Sequence, residues 1–127
     1  SPDGEALLLI HHGKLDRWLQ PGGHIDPEDA SVDAAARREI FEETGVGDLE
    51  RVGASLVRID VHEIPERGSE PEHLHLDLGL GFRAASWSIG PIDEVVDAKW
   101  VAFDDLESYG VDEALLAGAW SIRSAVN

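Results

Sequence analysis

Pro21-Gly22-Gly23-His24-Ile25-Asp26-Pro27-Glu28-Asp29 leads through residues 30–36 into Arg37-Arg38-Glu39-Ile40-Phe41-Glu42-Glu43-Thr44-Gly45-Val46. A glycine-rich turn is followed by a helix that carries three glutamates. Ser31 is the candidate N-cap, Asp33 lies in the first turn, and Gly45 fits the left-handed position that stops a helix. At about 100° per residue, Glu39, Glu42 and Glu43 fall within an arc of roughly 100°. Val32, Ala35 and Ala36 project to the same side, which is the side expected to face the protein body.

Three glutamates on a helix ordinarily make a solvated face. Here they share a side with small apolar residues, which sets them near one another and partly out of water. Such carboxylates repel, and their pKa values rise unless something positive lies between them. A divalent cation meets that need, and carboxylate oxygens are hard ligands suited to Mg²⁺ or Mn²⁺. Arg38, four residues before Glu42, is placed to brace that carboxylate.

Residues 38–46 resemble the second half of the Nudix box, R-E-U-x-E-E-x-G-U with U aliphatic. Gly23 and Asp29 resemble its first half, G-x5-E. The sequence departs from that pattern in two ways. Aspartate stands at Asp29 in place of glutamate, and eight residues rather than seven separate it from Arg38, an insertion of one residue ahead of the helix. The resemblance implies an α/β/α sandwich with a mixed central sheet and hydrolysis of a diphosphate linkage in a small nucleoside diphosphate derivative. It also implies metal ligation by Glu39, Glu42 and Glu43, completed by the backbone carbonyl of Gly22 or Gly23, with Arg38 orienting the glutamates. The general base is a box glutamate or an acid of residues 88–97, where Glu94 and Asp97 are preferred to Asp93. Marks of two subgroups are missing: Val61 stands at the proline spacing of the ADP-ribose group, and Glu63 at the tyrosine spacing of the diadenosine-polyphosphate group.

The remaining sequence fits an α+β, or mixed α/β, reading over a single domain of residues 1–127. Residues 5–11 form a nearly continuous apolar run and read as a buried strand; Trp18-Leu19-Gln20 is a short extended piece. In the family such a first strand commonly follows another, so a segment ahead of Ser1 is expected. Residues 49–64 read as a half-buried strand, with Val57, Ile59 and Val61 alternating with Arg58, Asp60 and His62. Residues 65–72 are a loop. Residues 73–83 alternate most regularly, with Leu74, Leu76, Leu78, Leu80 and Phe82 on a greasy face. His73, His75, Asp77, Gly79 and Gly81 form the polar one. A strand over residues 98–103, a turn over 104–107 and an amphipathic helix from Val111 to the C-terminus complete the order.

His24 is in reach of substrate phosphates. His73, His75 and Asp77 read chiefly as a polar sheet face over the substrate cleft, with substrate contact and a zinc-type His-x-His site as the sharper alternatives. Trp18 and Phe41 read as packing residues.

The formal net charge is −16, so nucleic acid polymers are not expected partners. No apolar run is long enough to span a membrane, and no signal peptide opens the sequence, so a cytoplasmic protein is expected. Cysteine is absent, which excludes thiol catalysis and disulfides. A homodimer is compatible with all of this. Two other functions compete with the hydrolase: a Nudix-like domain that holds a nucleotide without cleaving it, and a metalloprotein built on the histidine strand. The intact glutamate set argues against the first.

Overall fold

A computed structural model describes residues 1–126. Strands β1 (Ala6–His12) and β2 (Arg17–Leu19) precede helix α1 (Val32–Thr44). Strands β3 (Leu49–Arg51), β4 (Arg58–Ile64), β5 (His73–Gly79), β6 (Phe82–Ala84) and β7 (Asp97–Ala102) follow. A 3-10 helix (Phe103–Tyr109) and α2 (Glu113–Val126) close the chain. The class is α+β, as expected. Its ladders among the described residues are antiparallel and form three sheets, β2-β1-β7, β3-β6 and β4-β5, in place of one mixed sheet.

The apolar run is the central strand of its sheet. Ala6 pairs with Ala102 and Ile10 with Ala98 across β7, while Ile10 pairs with Leu19 across β2. Leu9 and Ile10 are sealed from solvent, because a strand flanked on both edges and covered on both faces requires apolar side chains in succession. On one face Leu9 joins Val101, Phe103, Leu106, Leu115 and Ala119, with Trp18 packed against the cluster. On the other, Leu8 meets Val46 and Ala84, with Ile40 and Trp100 beside them. The 3-10 helix replaces the expected turn: Leu106 is fully buried and anchors it. The C-terminal helix begins at Glu113 behind Asp112, which accepts from the Leu115 N–H; Asn127, the last residue of the expected helix, lies outside the described residues.

The expectation of one long strand over residues 49–64 is corrected. Val52 and Val57 turn toward Gly81 and Gly79, and Gly53 takes a positive φ between them, so β3 and β4 are separate. The facing of the ribbon β4–β5 is also reversed from expectation. Ile59 and Val61 are both 60% exposed, and Leu74 and Leu76 are 69% and 56% exposed. Cross-strand partners share a face, so Val61 with Leu76 lie outward while His62 with His75 and Asp60 with Asp77 share the opposite face. Beyond Gly79 the chain packs on α2, where Gly81 meets Ile122 and Gly118 meets Arg58.

Helix α1 has the ends read from the sequence. The Ser31 hydroxyl accepts from Ala34 N–H, and Gly45 ends the helix at φ 72° with its N–H donating to Phe41. Gly45 has a second task. A Cβ there would stand 2.5 Å from the Gly90 Cα, and Gly90 N–H donates to the Thr44 carbonyl at 2.8 Å. Two glycine backbones thus staple residues 88–97 onto the C-terminal end of α1.

Gly45→Ala should therefore destabilise by about 3 kcal/mol, the left-handed strain plus a forced displacement of Gly90. Gly110→Ala, at φ 68° with open space around it, should cost only about 1 kcal/mol. Urea unfolding of the two variants separates these effects.

Candidate active site at the glycine turn and helix α1

The site begins with Arg38, whose planar fork touches five groups. Nε and Nη2 each stand 3.0 Å from an oxygen of Asp29, a two-point pair. Nη1 donates to Glu39 at 3.0 Å and to Glu42 at 3.2 Å. Nη2 also donates to the His24 carbonyl at 2.9 Å and lies 3.4 Å from Asp26. Asp29 in turn accepts from the Asp26 N–H at 2.7 Å, which closes the turn ahead of the helix. The Arg38 guanidinium holds the Asp29 carboxyl below the usual carboxylate range. Asp29 is thus the principal anchor of the arginine despite its departures from the family pattern, and aspartate with one inserted residue reaches it.

The three glutamates differ sharply in environment. Glu42 is exposed, Glu39 is half-buried, and Glu43 is 7% exposed. The expectation that all three face the body is corrected, because one helix turn spreads Glu42 and Phe41 to solvent while Ala35, Glu43 and Thr44 face inward. Phe41 is accordingly not a core residue; it is 59% exposed and lies over Gly47. Glu39 presses its carboxylate against the Gly23 Cα, in space that any Cβ at Gly23 would occupy. Glycine is required there so that the turn and the carboxylate can touch.

Glu43 carries the strongest perturbation. Burial pushes its pKa up to about 7, with Glu39, Glu94 and Glu42 adding like-charge repulsion. Its one relief is the Gly22 N–H, which donates to Oε1 at 2.7 Å. Glu94 belongs to this group of carboxylates because the Gly45–Gly90 contact docks its loop on the helix. Asp97 instead opens β7, caps the Ala98 N–H and stands 4.0 Å from Lys99.

The donor set was tested against a divalent cation. Its chemistry fits: hard carboxylate oxygens meet a glycine turn, and a buried carboxylate lacks any cation partner. Among the described residues no three of His, Asp or Glu stand in liganding geometry around one point. Arg38 accounts for part of this, since it holds Glu39 and Glu42 while Gly22 holds Glu43.

A cavity of about 610 Å³ opens beside the turn. Its lining includes Gly22, Gly23, His24, Glu39, His75 and Asp77, with apolar residues deeper in. The His24 and His75 rings are parallel, with centroids 5.6 Å apart and planes 5° apart. His73 is exposed and bonds the Pro71 carbonyl through Nδ1, away from the cavity lining. Sequence reasoning passed over His62, whose Nε2 lies 3.0 Å from Asp77 Oδ2. Strand pairing between residues 62 and 75 creates that contact, and no local spacing reveals it.

The raised Glu43 pKa has a definite sign for stability. The folded state binds this proton more tightly than the unfolded chain, so stability falls as pH rises from about 4.5 to about 7. In chelator, Glu43→Gln should exceed the parent in stability at pH 8 by up to about 3 kcal/mol, and the difference should vanish below pH 4.5. Urea melts across pH measure this.

The comparisons with known proteins agree with the geometry. A curated relative, the putative 8-oxo-dGTP diphosphatase of Bacillus subtilis (strain 168), is 30% identical over 100 residues, 79% of this chain and 60% of that protein. The diphosphoinositol polyphosphate phosphohydrolase 3-alpha of Mus musculus is 46% identical over 44 residues, 35% of this chain and 26% of that protein. The chain thus spans between about a quarter and three-fifths of these relatives' lengths. A Nudix-family hydrolase from Clostridium perfringens has the same fold, with a TM-score of 0.78 and 19% identity over 98% of this chain and 91% of that one. The NUDIX domain family matches residues 1–120, nearly the whole length, so the chain belongs to the Nudix family.

Proposed function

We propose that this protein hydrolyses a diphosphate linkage in a small nucleotide derivative with the help of Mg²⁺ or Mn²⁺. The observation that carries the reading is Glu43: a buried carboxylate crowded by Glu39, Glu42 and Glu94, with a raised pKa and no cationic partner. Such crowding is unfavourable for folding alone and is relieved by a bound cation. Relatives named as an 8-oxo-dGTP diphosphatase and a diphosphoinositol polyphosphate phosphohydrolase support a phosphoanhydride substrate.

Glu39 and Glu43, one turn apart, would be the principal ligands, Glu42 a further one, and the carbonyl of Gly22 or Gly23 would complete the set. Glu39 and Glu42 would have to leave Arg38 to serve. When bound, the cation offsets phosphate charge and lowers the pKa of water at the site. Arg38 holds the helix to the turn through Asp29, which fixes where the glutamates project. Glu94 is our choice for general base over Asp97, because it shares the electrostatic environment of Glu43. It would take the proton of the attacking water and needs no charge change at any histidine. His24, His75 and Asp77 line the cavity where substrate would lie, whereas His73 faces away. The same reading places the protein in the cytoplasm, where free nucleotides are found.

No observation favours the silent-binder reading over this one. Phosphate release from a panel of nucleoside triphosphates and nucleoside diphosphate derivatives tests it. We expect cleavage of some member with Mg²⁺ or Mn²⁺, abolished by chelator and by Glu43→Gln. Glu94→Gln should lower kcat by about 10²- to 10⁴-fold with little change in KM. Cleavage that persists in Glu43→Gln would overturn the ligand assignment.

A further inference from the structure

The polar face of the β4–β5 ribbon has no role in the chemistry so far described, yet it forms a connected group. Gly23 touches Glu39, His24 follows it, the His24 ring lies parallel to His75, and Asp77 sits between His75 and His62. The group therefore begins one residue from the glutamate helix and extends across the cavity mouth. Its nitrogen atoms are not equivalent. His62 Nε2 is 3.0 Å from Asp77 Oδ2. His75 Nε2 is 3.6 Å from Asp77 Oδ1, beyond hydrogen-bond distance, and the His24 ring has no hydrogen-bond partner among the described residues. Those two rings are free to donate elsewhere, and an imidazole carries an N–H in either protonation state.

The charge distribution narrows what they would meet. The chain is strongly acidic, and its cations near the cavity are largely engaged. Arg38 is held by four carboxylates, and Arg58 stands 2.6 Å from Asp60. Arg83 reaches the cavity beside Gly4, at the chain's start. At the mouth, beside the glycine turn, His24 and His75 are the side chains left to donate to a second anionic group.

We propose that His24 and His75 bind a phosphoryl group of the substrate next to the one at the glutamate helix, and that His62 positions this site by offsetting the charge of Asp77. This deepens the hydrolase reading and rests on it for the placing of the neighbouring phosphoryl group. The favoured substrate is then a nucleotide with a third phosphoryl group, in preference to a diphosphate joined to an uncharged sugar. His62 does not touch the anion. Its removal leaves the Asp77 carboxylate bare beside the phosphoryl oxygens, where like charges repel.

Sodium tripolyphosphate is the probe, titrated by calorimetry into the full chain with Mg²⁺. His24→Ala and His75→Ala should each weaken binding about tenfold. His62→Ala should weaken it about fivefold, the scale of a partly exposed charge pair. The double variant His62→Ala/Asp77→Asn should bind as tightly as Asp77→Asn alone, because without the carboxylate His62 has nothing to offset. A purely packing role for His62 would leave the double variant as weak as the single one and would overturn the positioning claim. Binding unchanged in both His24→Ala and His75→Ala would overturn the site. Failure of the hydrolase reading is distinct: tripolyphosphate binds with this pattern, yet no nucleotide is cleaved.

Discussion

The fork between Arg38 and Asp29 is the interaction on which the site depends. One planar guanidinium ties the turn to the helix through Asp29, Asp26 and the His24 carbonyl, and ties the helix to itself through Glu39 and Glu42. Lysine has one ammonium point and no fixed plane, so it has no means of reproducing a two-point pair plus three further contacts. The side chain is only partly exposed, which protects these contacts from full screening. Without this hub, the chain from Gly22 to Asp29 has few other bonds to the helix, namely Gly22 to Glu43 and the touch of Gly23 on Glu39.

Electrostatic conflict is concentrated next to that hub. Asp33 illustrates the ordinary way an acidic protein settles its charge: Arg37 and Arg51 both pair with it and hold its carboxyl below the usual range. Glu43 lies one helix face away and receives no such partner. Uncompensated burial of a carboxylate costs stability, and the cost is tolerated where a ligand removes it. The Gly45–Gly90 contact sharpens the conflict by adding Glu94 to the group. A device of folding, two backbones in contact, therefore also sets the electrostatics of the site.

The β4–β5 ribbon carries its information differently. Period-2 alternation marks two faces correctly in both strands, with Leu74 and Leu76 on one and His75 and Asp77 on the other. It does not say which face turns inward. Burial of leucine is the default, but Leu74 and Leu76 lie outward because the inner end of the ribbon meets the glycine turn through the His24–His75 stack. Farther along, Arg58 lies over Gly118 and Gly81 meets Ile122, so the ribbon's polar and glycine-bearing face is the one matched to α2.

The sequence by itself determined the local chemistry: the Ser31 cap, the Gly45 stop, the α+β class, the family and the glutamate set. Each of these is written in residues within a few positions of one another, where helix geometry and backbone preference act directly. Tertiary structure alone decided that Glu43 is the desolvated carboxylate, that Asp29 anchors Arg38, that Glu94 reaches the site while Asp97 does not, and that His62 meets Asp77. These depend on contacts between distant segments: Gly45 with Gly90, residue 62 with residue 75, His24 with His75. Burial and pairing of that kind arise only when the chain closes on itself, so no spacing along it records them.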